Sequence, residues 1–147
     1  MLPMMPRVTL ILAGCAAFLH LWLATRVGQV RRSEGVSIGD GGNERVVRRM
    51  RAHANFTENA PLVLLLVLAV ELGIGPSVWL WAAAALFLVA RVLHAIGMDG
   101  WSPGRTVGTS LTFGLEIALA AWAIAIPLVF HAPRLDTVPT ELVPAQG

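Results

Sequence analysis

Residues 48–61, "RRMRAHANFTENAP", concentrate charged and polar side chains at the start of a long apolar run. On a helix that turns about 100° per residue, Arg51, Asn55 and Glu58 fall within about 60° of one another. An arginine, an amide and a carboxylate on one helix face can together bind an anion, a peptide-like amide and an ammonium group. The spacing therefore predicts one polar face that could bind all three kinds of group at once.

Two interpretations of this polar face are open. Arg48 lies at the edge of this face, and His53 projects to the far side of the helix. Charged residues at i,i+3 and i,i+4 are also typical of a solvated helix start that binds nothing. However, Asn55 and Glu58 lie just before a run that is apolar from Ala60 onward. Polar side chains at such depth in a membrane usually face the interior of a helix bundle and carry function. We therefore favour a binding site.

The composition of the chain defines its setting. Of 147 residues, 56% are hydrophobic and 14% are charged, and the mean hydropathy is +0.69, which is typical of a membrane protein. All eleven basic residues are arginine, the side chain suited to bidentate capture of carboxylate or phosphate. These arginines border apolar spans instead of lining a polar surface, so we expect no nucleic-acid partner.

The apolar segments predict an all-α membrane protein built as a four-transmembrane-helix bundle. Asn43 is a suitable cap for the second helix, and Pro76 is a favoured first-turn residue for the third. We expect the bundle to occupy residues 1–130 and the proline-rich residues 131–147 to form a flexible tail. The predicted helices cover residues 8–27, 43–74, 76–96 and 105–130.

The arginines also predict the orientation of the chain in the membrane. Six of them lie in or just after the connection between the first two helices, and Arg105 lies between the third and fourth helices. The opposite side offers only Arg7 and Arg134. By the positive-inside rule both arginine-bearing connections face the cytoplasm and both termini lie outside. We therefore expect a multi-pass protein of the inner or cell membrane.

Three segments together resemble a known family. "RAHANFTENAP" in the second helix, "GQVRR" at residues 28–32 and "ARVLHAIGM" at residues 90–98 are similar to bacterial-type members of the MAPEG family, the membrane-associated proteins of eicosanoid and glutathione metabolism. The resemblance implies a four-helix subunit that assembles as a homotrimer. It also implies that glutathione, as co-substrate, binds between neighbouring subunits near the cytoplasmic face. We expect no metal site.

The resemblance assigns roles to residues that match the family's motifs. Arg31 looks like the first-helix arginine that binds a glutathione carboxylate, and Glu58 suits the glutamyl ammonium. Arg105 and Thr106 resemble the arginine and hydroxyl residue at the start of the fourth helix, where the family stabilises the thiolate, and are the expected catalytic residues. The full set expected to bind glutathione is Arg31, Arg48, Arg51, Asn55, Glu58, Arg91 and His94.

One feature departs from the family pattern. Family members commonly contact glutathione through tyrosines late in the third helix, and this chain contains no tyrosine. Met98 or Ile96 stands where a phenol is expected. Three explanations are open: His94 or Trp101 supplies the missing donor, glutathione binds weakly, or the substrate differs.

The resemblance implies a glutathione-dependent transferase or peroxidase that conjugates or reduces lipophilic electrophiles. A guanidinium beside a thiol favours the thiolate, and proximity supplies much of the rate. Two alternatives are open: a MAPEG-fold protein that binds glutathione or lipid without catalysis, and a small proton-coupled transporter that uses Glu116 near mid-membrane.

Overall fold

The computed structural model describes residues 5–129 as four helices. These are α1 (Arg7–Ser33), α2 (Glu44–Ile74), α3 (Val78–Met98) and α4 (Ser102–Val129). All four are long and apolar enough to cross a membrane, so the predicted all-α fold with four membrane-spanning helices is confirmed. The predicted tail, with its boundary at residue 130, lies outside the described residues.

The start of α2 agrees with its predicted cap. Asn43 has extended backbone angles, and its Oδ1 accepts hydrogen bonds from the backbone N–H groups of Arg45 at 2.9 Å and Val46 at 3.3 Å. Glu44 follows in the first turn, where its charge interacts favourably with the helix dipole. The polar residues of the first half of α2 therefore belong to one continuous helix with the apolar run that follows.

Three predicted helix boundaries are wrong by a few residues. Helix α1 continues to Ser33, because Arg31 and Arg32 interact favourably with the dipole in its last turn and the first left-handed glycine is Gly35, with φ +68°. Helix α3 begins at Val78 instead of Pro76, since the hydroxyl of Ser77 caps it by accepting from the N–H of Leu80.

Helix α4 begins at Ser102 instead of Arg105. Pro103 stands in its first turn, where the missing N–H costs nothing because the first N–H groups of a helix have no partner within it. The connection to α3 is only residues 99–101, and Gly100 adopts a φ of +132° there. The predicted catalytic pair therefore lies in the first turns of α4.

Side-chain contacts show which connections share an end of the bundle. Asp99, just after α3, contacts Arg26 of α1 and Arg49 of α2. At the other end, the carboxylate of Glu71 near the end of α2 accepts hydrogen bonds from the N–H groups of Val8 and Thr9, both at 2.8 Å. We call the first of these ends, which holds connections 34–43 and 99–101, the arginine-rich end.

The core lies mainly between α1, α2 and α3, where Leu12, Val63 and Phe87 are among the fully buried side chains. Helix α4 packs along α3 and α2. Many large apolar side chains of α4 remain exposed, including Ile117 and Leu128. An apolar surface of this extent is suited to lipid or to a neighbouring subunit, which fits an integral multi-pass membrane protein.

Candidate functional site

The predicted polar face of α2 forms one wall of a cavity. Arg51, Asn55 and Glu58 line it together, and His94 and Met98 of α3 close the other side. The cavity volume is about 200 Å³. Helical spacing brings the three α2 residues into line, and the packing of α3 against α2 adds the histidine. Four of the residues predicted to bind glutathione thus share one site.

A second cavity adjoins the first at the arginine-rich end. Its volume is about 400 Å³, and its lining includes Glu44 and Arg48 of α2 and Arg105 of α4. Met98 lines both cavities, so they are neighbours. We call the two cavities together the α2–α3 cleft. The cleft brings the predicted catalytic arginine to the same region as the predicted binding residues of α2.

Within the cleft, Arg48 already has an anionic partner. Its Nε and Nη2 lie 3.0 and 2.6 Å from Oε1 of Glu44, one helical turn away. Both side chains are exposed, so this ion pair contributes little to stability. Arg51 and Glu58 are also exposed in the single chain. The charged groups of α2 are therefore accessible to a ligand.

Arg91 lies behind the cleft instead of in its wall. The side chain is 1% exposed and its Nη2 donates to Oδ1 of Asn55 at 2.7 Å. Nη1 lies 3.3 Å from the hydroxyl of Thr112, and Nη2 lies 3.3 Å from Nδ1 of His94. The arginine therefore holds two cleft residues, Asn55 and His94, against α3 and α4.

A close approach of two backbones places Arg105. A Cβ atom added to Gly97 would lie 2.0 Å from the backbone nitrogen of Arg105, so only glycine permits this contact. The side chain of Arg105 is exposed and faces the cleft. Thr106 is also exposed, and its hydroxyl is 3.3 Å from the carbonyl oxygen of Ser102 in the same helix.

Arg31 is placed apart from the other predicted residues. Its Nη1 is 3.3 Å from the carbonyl oxygen of Ser37, and its Nη2 is 3.4 Å from the sulfur of Met50. This position faces the 34–43 connection, whereas Arg51 faces α3. Of the nine predicted site residues, the structure brings Arg48, Arg51, Asn55, Glu58, His94 and Arg105 to the cleft, with Arg91 directly behind it.

The side chains that were considered as substitutes for tyrosine differ in position. His94 lines the cleft beside Met98. Trp101 packs instead against the start of α4, where a Cβ atom on Gly104 would lie 2.3 Å from its ring.

His53 was predicted on the far side of α2. Its ring contacts the ring of His20 in α1, with 4.7 Å between the ring centroids.

Two acidic residues that form clear contacts in the structure were not identified by the sequence analysis. Glu71 is 1% exposed and caps the start of α1. Asp99 contacts two arginines at the arginine-rich end. An acid inside an apolar segment is a signal of a buried partner, and it was present for Glu71. For Asp99 the sequence offered no such signal, because it lies in a polar connection.

The fold and the cleft together define a four-helix membrane protein with a polar site between its second and third helices. A comparison with known protein families matches residues 9–125 to the MAPEG family. The chain therefore belongs to the MAPEG family, which includes glutathione transferases and peroxidases. A comparison with curated proteins finds no match.

Proposed function

We propose that the protein is a glutathione-dependent membrane enzyme that conjugates or reduces lipophilic electrophiles dissolved in the bilayer. The observation that carries this proposal is the convergence of Arg51, Asn55, Glu58 and His94 on one cavity. Glutathione has two carboxylates, one ammonium group and two peptide bonds. The family of the chain and the chemistry of this cavity point to the same ligand.

The binding roles follow from charge and hydrogen-bonding capacity. Glu58 pairs with the glutamyl ammonium, and Arg51 binds a carboxylate through its planar guanidinium. Asn55 donates its amide N–H groups to a carbonyl or carboxylate oxygen. His94 supplies a further polar contact from α3, in the place of the absent tyrosine. Arg48 binds the second carboxylate after exchange of its contact with Glu44.

The cleft of one chain is open, so we propose that a neighbouring subunit completes it. Arg51 and Glu58 are exposed on a helix that crosses the membrane, and charged groups facing lipid are costly. A homotrimer in which this face of α2 meets the next subunit removes that cost. Arg31 then contributes to the site of a neighbour instead of its own.

The chemistry depends on the thiolate of bound glutathione. Arg105 stabilises that anion without acting as a base, since a guanidinium stays protonated. Thr106 donates a hydrogen bond to it after its hydroxyl leaves the carbonyl oxygen of Ser102. In conjugation the sulfur attacks an electrophilic carbon, a C–S bond forms, and a leaving group departs with the displaced electron pair. In peroxide reduction the sulfur attacks the terminal oxygen, the O–O bond breaks, and the alkoxide leaves and takes a proton to become the alcohol. The resulting sulfenic acid of glutathione reacts with a second glutathione to give the disulfide and water.

We further propose that the arginine-rich end faces the cytoplasm. Connections 34–43 and 99–101 share this end, and the positive-inside rule assigns arginine-rich connections to the cytoplasmic side. Glutathione then reaches the cleft from the cytoplasm, and the electrophile reaches it from the bilayer.

Calorimetric titration of the purified protein with glutathione tests the binding part of this proposal. Turnover of a generic aromatic electrophile, and of a lipid hydroperoxide, tests the catalytic part. Binding with turnover of either substrate supports the enzyme. Absence of binding in a protein that is folded and oligomeric contradicts the proposal.

A MAPEG-fold binding protein without catalysis is the second candidate. The observation in its favour is the absence of tyrosine from the sequence, with Met98 in the cleft wall. Glutathione binding with no turnover would support it. The third candidate, a transporter that uses Glu116, has less support, because the family match favours glutathione chemistry over transport.

A further inference from the structure

A cluster of three charged residues connects the corner between α3 and α4 to the other two helices. Asp99 receives a hydrogen bond from Nη2 of Arg26, in α1. Nε of Arg49, in α2, lies 3.1 Å from Oδ1 of Asp99, and Nη2 lies 3.4 Å from Oδ2. Nη1 of Arg49 also donates to the backbone carbonyl of Arg26 at 3.4 Å. One carboxylate thus joins all the helices that meet at this end.

The cluster is shielded from solvent on its α1 side. The side chain of Arg26 is 11% exposed, against 25% for Arg49 and 36% for Asp99. Arg26 also lies over the ring of Trp22, with its Cζ 4.5 Å from the ring centroid. A guanidinium shielded to this degree requires a counter-charge, because an uncompensated buried charge is costly. Arg26 therefore holds Asp99 in place more firmly than an exposed ion pair would.

The residues on both sides of Asp99 line the candidate site. Met98 and Gly100 are in the wall of the second cavity of the cleft, and Asp99 lines a further cavity of about 200 Å³ with Arg49. The connection has only three residues, so a displacement of Asp99 is passed directly to the first turn of α4. Arg105, whose backbone touches Gly97, is in that turn.

We infer that Asp99 is a positioning residue, which holds the α3–α4 corner against α1 and α2 and so places Arg105 beside the cleft. The inference rests on the proposed function for its consequence in catalysis. The juxtaposition of Asp99, Arg26 and Arg49 does not rest on that function. Loss of the carboxylate frees the corner, and the guanidinium of Arg105 then no longer stays beside the sulfur. Binding by the α2 residues continues.

Hydrogen–deuterium exchange on the full protein in detergent tests the restraint itself. The corner contains backbone hydrogen bonds from the N–H groups of Asp99, Gly100, Gly104 and Arg105. Asp99→Asn should accelerate exchange in the peptide that spans residues 97–106. Glu34→Gln is the matched control, since Glu34 forms an ion pair with Arg45 at 2.5 Å at the same end but outside the cleft. Equal exchange in wild type and Asp99→Asn would overturn the inference.

Kinetics then show whether Asp99 acts through Arg105. In Asp99→Asn we expect kcat to fall roughly tenfold or more, as small misplacements of reacting groups do, with little change in glutathione affinity. In an Arg105→Ala background the same substitution should have no further effect on kcat. Asp99→Glu, which keeps the charge, should retain most of the activity. An unchanged kcat in Asp99→Asn would overturn the inference. It would also be overturned if Asp99→Asn lowered kcat by the same factor in the Arg105→Ala background as in the wild type.

Should Asp99→Asn fail to fold, Arg49→Gln removes the more exposed of the two arginine contacts. Exchange at residues 97–106 should then accelerate and kcat should fall, both by less than in Asp99→Asn, and no change in either would overturn the inference. Should the wild type neither bind nor turn over glutathione, the proposed function fails and the exchange measurement alone decides whether Asp99 restrains the corner that carries Arg105.

Discussion

Arg91 fixes the orientation of the Asn55 side chain. Nη2 of the buried guanidinium lies 2.7 Å from Oδ1 of Asn55, and a guanidinium has hydrogen-bond donors only. The oxygen of the amide must therefore face Arg91, which leaves the amide N–H groups free to donate into the cleft. A buried cation thus determines that Asn55 presents donors, and not an acceptor, to a ligand.

Asn55→Asp separates these two contacts. The carboxylate keeps an acceptor for Arg91, whereas the donors to the ligand are lost. We expect the protein to remain as stable as the wild type and its glutathione affinity to fall roughly tenfold or more, the equivalent of about 1.5 to 3 kcal/mol for a hydrogen bond to a charged group. Thermal unfolding and calorimetric titration measure the two effects.

Thr112→Val is the matched control for this substitution. It removes a different acceptor of Arg91, at 3.3 Å from Nη1, that does not line the cleft. Stability should fall by about 1 kcal/mol, as is typical for a lost hydrogen bond, with affinity unaffected. Wild-type affinity in Asn55→Asp would exclude the amide as a donor to glutathione.

Glu58→Gln tests the recognition of the glutathione ammonium group. The side chain keeps its size and loses its charge, so affinity should fall roughly tenfold or more, because hydrogen bonds to charged groups contribute about 1.5 to 3 kcal/mol. Titration with glutathione and with an analogue that lacks the amino group measures the effect. The substitution should weaken the binding of glutathione much more than that of the analogue. Equal losses for the two ligands would assign Glu58 a structural role.

Arg105→Ala tests the stabilisation of the thiolate. A close positive charge favours the deprotonated thiol, and its removal should raise the pKa of the bound thiol by about one unit or more. Turnover near neutral pH should fall, and higher pH should partly restore it, because the thiolate then forms without the arginine. Ultraviolet absorbance of the thiolate, followed against pH with glutathione bound, measures the shift.

Two comparisons sharpen the Arg105 experiment. Arg105→Lys keeps a positive charge and should retain part of the activity. Arg32→Ala removes an exposed arginine of α1 at the same end of the bundle and should leave the thiolate titration unchanged. If the thiolate titrates identically in wild type and Arg105→Ala, Thr106 and His94 become the candidates for contact with the sulfur.

The features that could be predicted from the sequence are those set by local pattern. Apolar length predicted the four helices, Asn43 predicted the start of α2, and helical spacing predicted that Arg51 and Glu58 share a face. Each of these depends on residues within a few turns of one another. The cavity on that face is also lined by His94. The position of His94 depends on how α3 packs against α2, which no local pattern specifies.

The features that could not be predicted depend on contacts between distant residues. Asp99 is 73 residues from Arg26 and 50 from Arg49, and no local pattern indicates that these charges meet. The contact of Gly97 with the backbone of Arg105 is likewise a result of packing between α3 and α4. The position of the predicted catalytic arginine follows from these contacts, so its motif alone did not specify its geometry.

The exposed charges of α2 predict that the protein forms an oligomer in the membrane. The exposed charges of Arg51 and Glu58 lie on a helix that spans the membrane, and shielding them from lipid requires a partner surface. We expect native mass spectrometry in mild detergent to show a homotrimer. Closed cyclic symmetry gives every subunit the same neighbours, and the family resemblance implies three subunits. Exclusively monomeric protein under conditions that preserve its fold would contradict this prediction.

Glu71 provides a test of the fold that is independent of function. Its buried carboxylate accepts hydrogen bonds from the N–H groups of Val8 and Thr9, both at 2.8 Å, and from the hydroxyl of Thr9 at 2.7 Å. The negative charge also lies at the positive end of the α1 dipole. In Glu71→Gln the charge is lost and an amide N–H₂ competes with the backbone donors for space. We expect the free energy of unfolding in detergent to fall by about 1.5 to 3 kcal/mol, the cost of losing hydrogen bonds to a charged group.

The control for this substitution is Glu34→Gln. The ion pair of Glu34 is more exposed, so its loss should change the free energy of unfolding by less than about 1 kcal/mol. Equal effects of the two substitutions would show that the Glu71 cap adds no more than an exposed charge pair does.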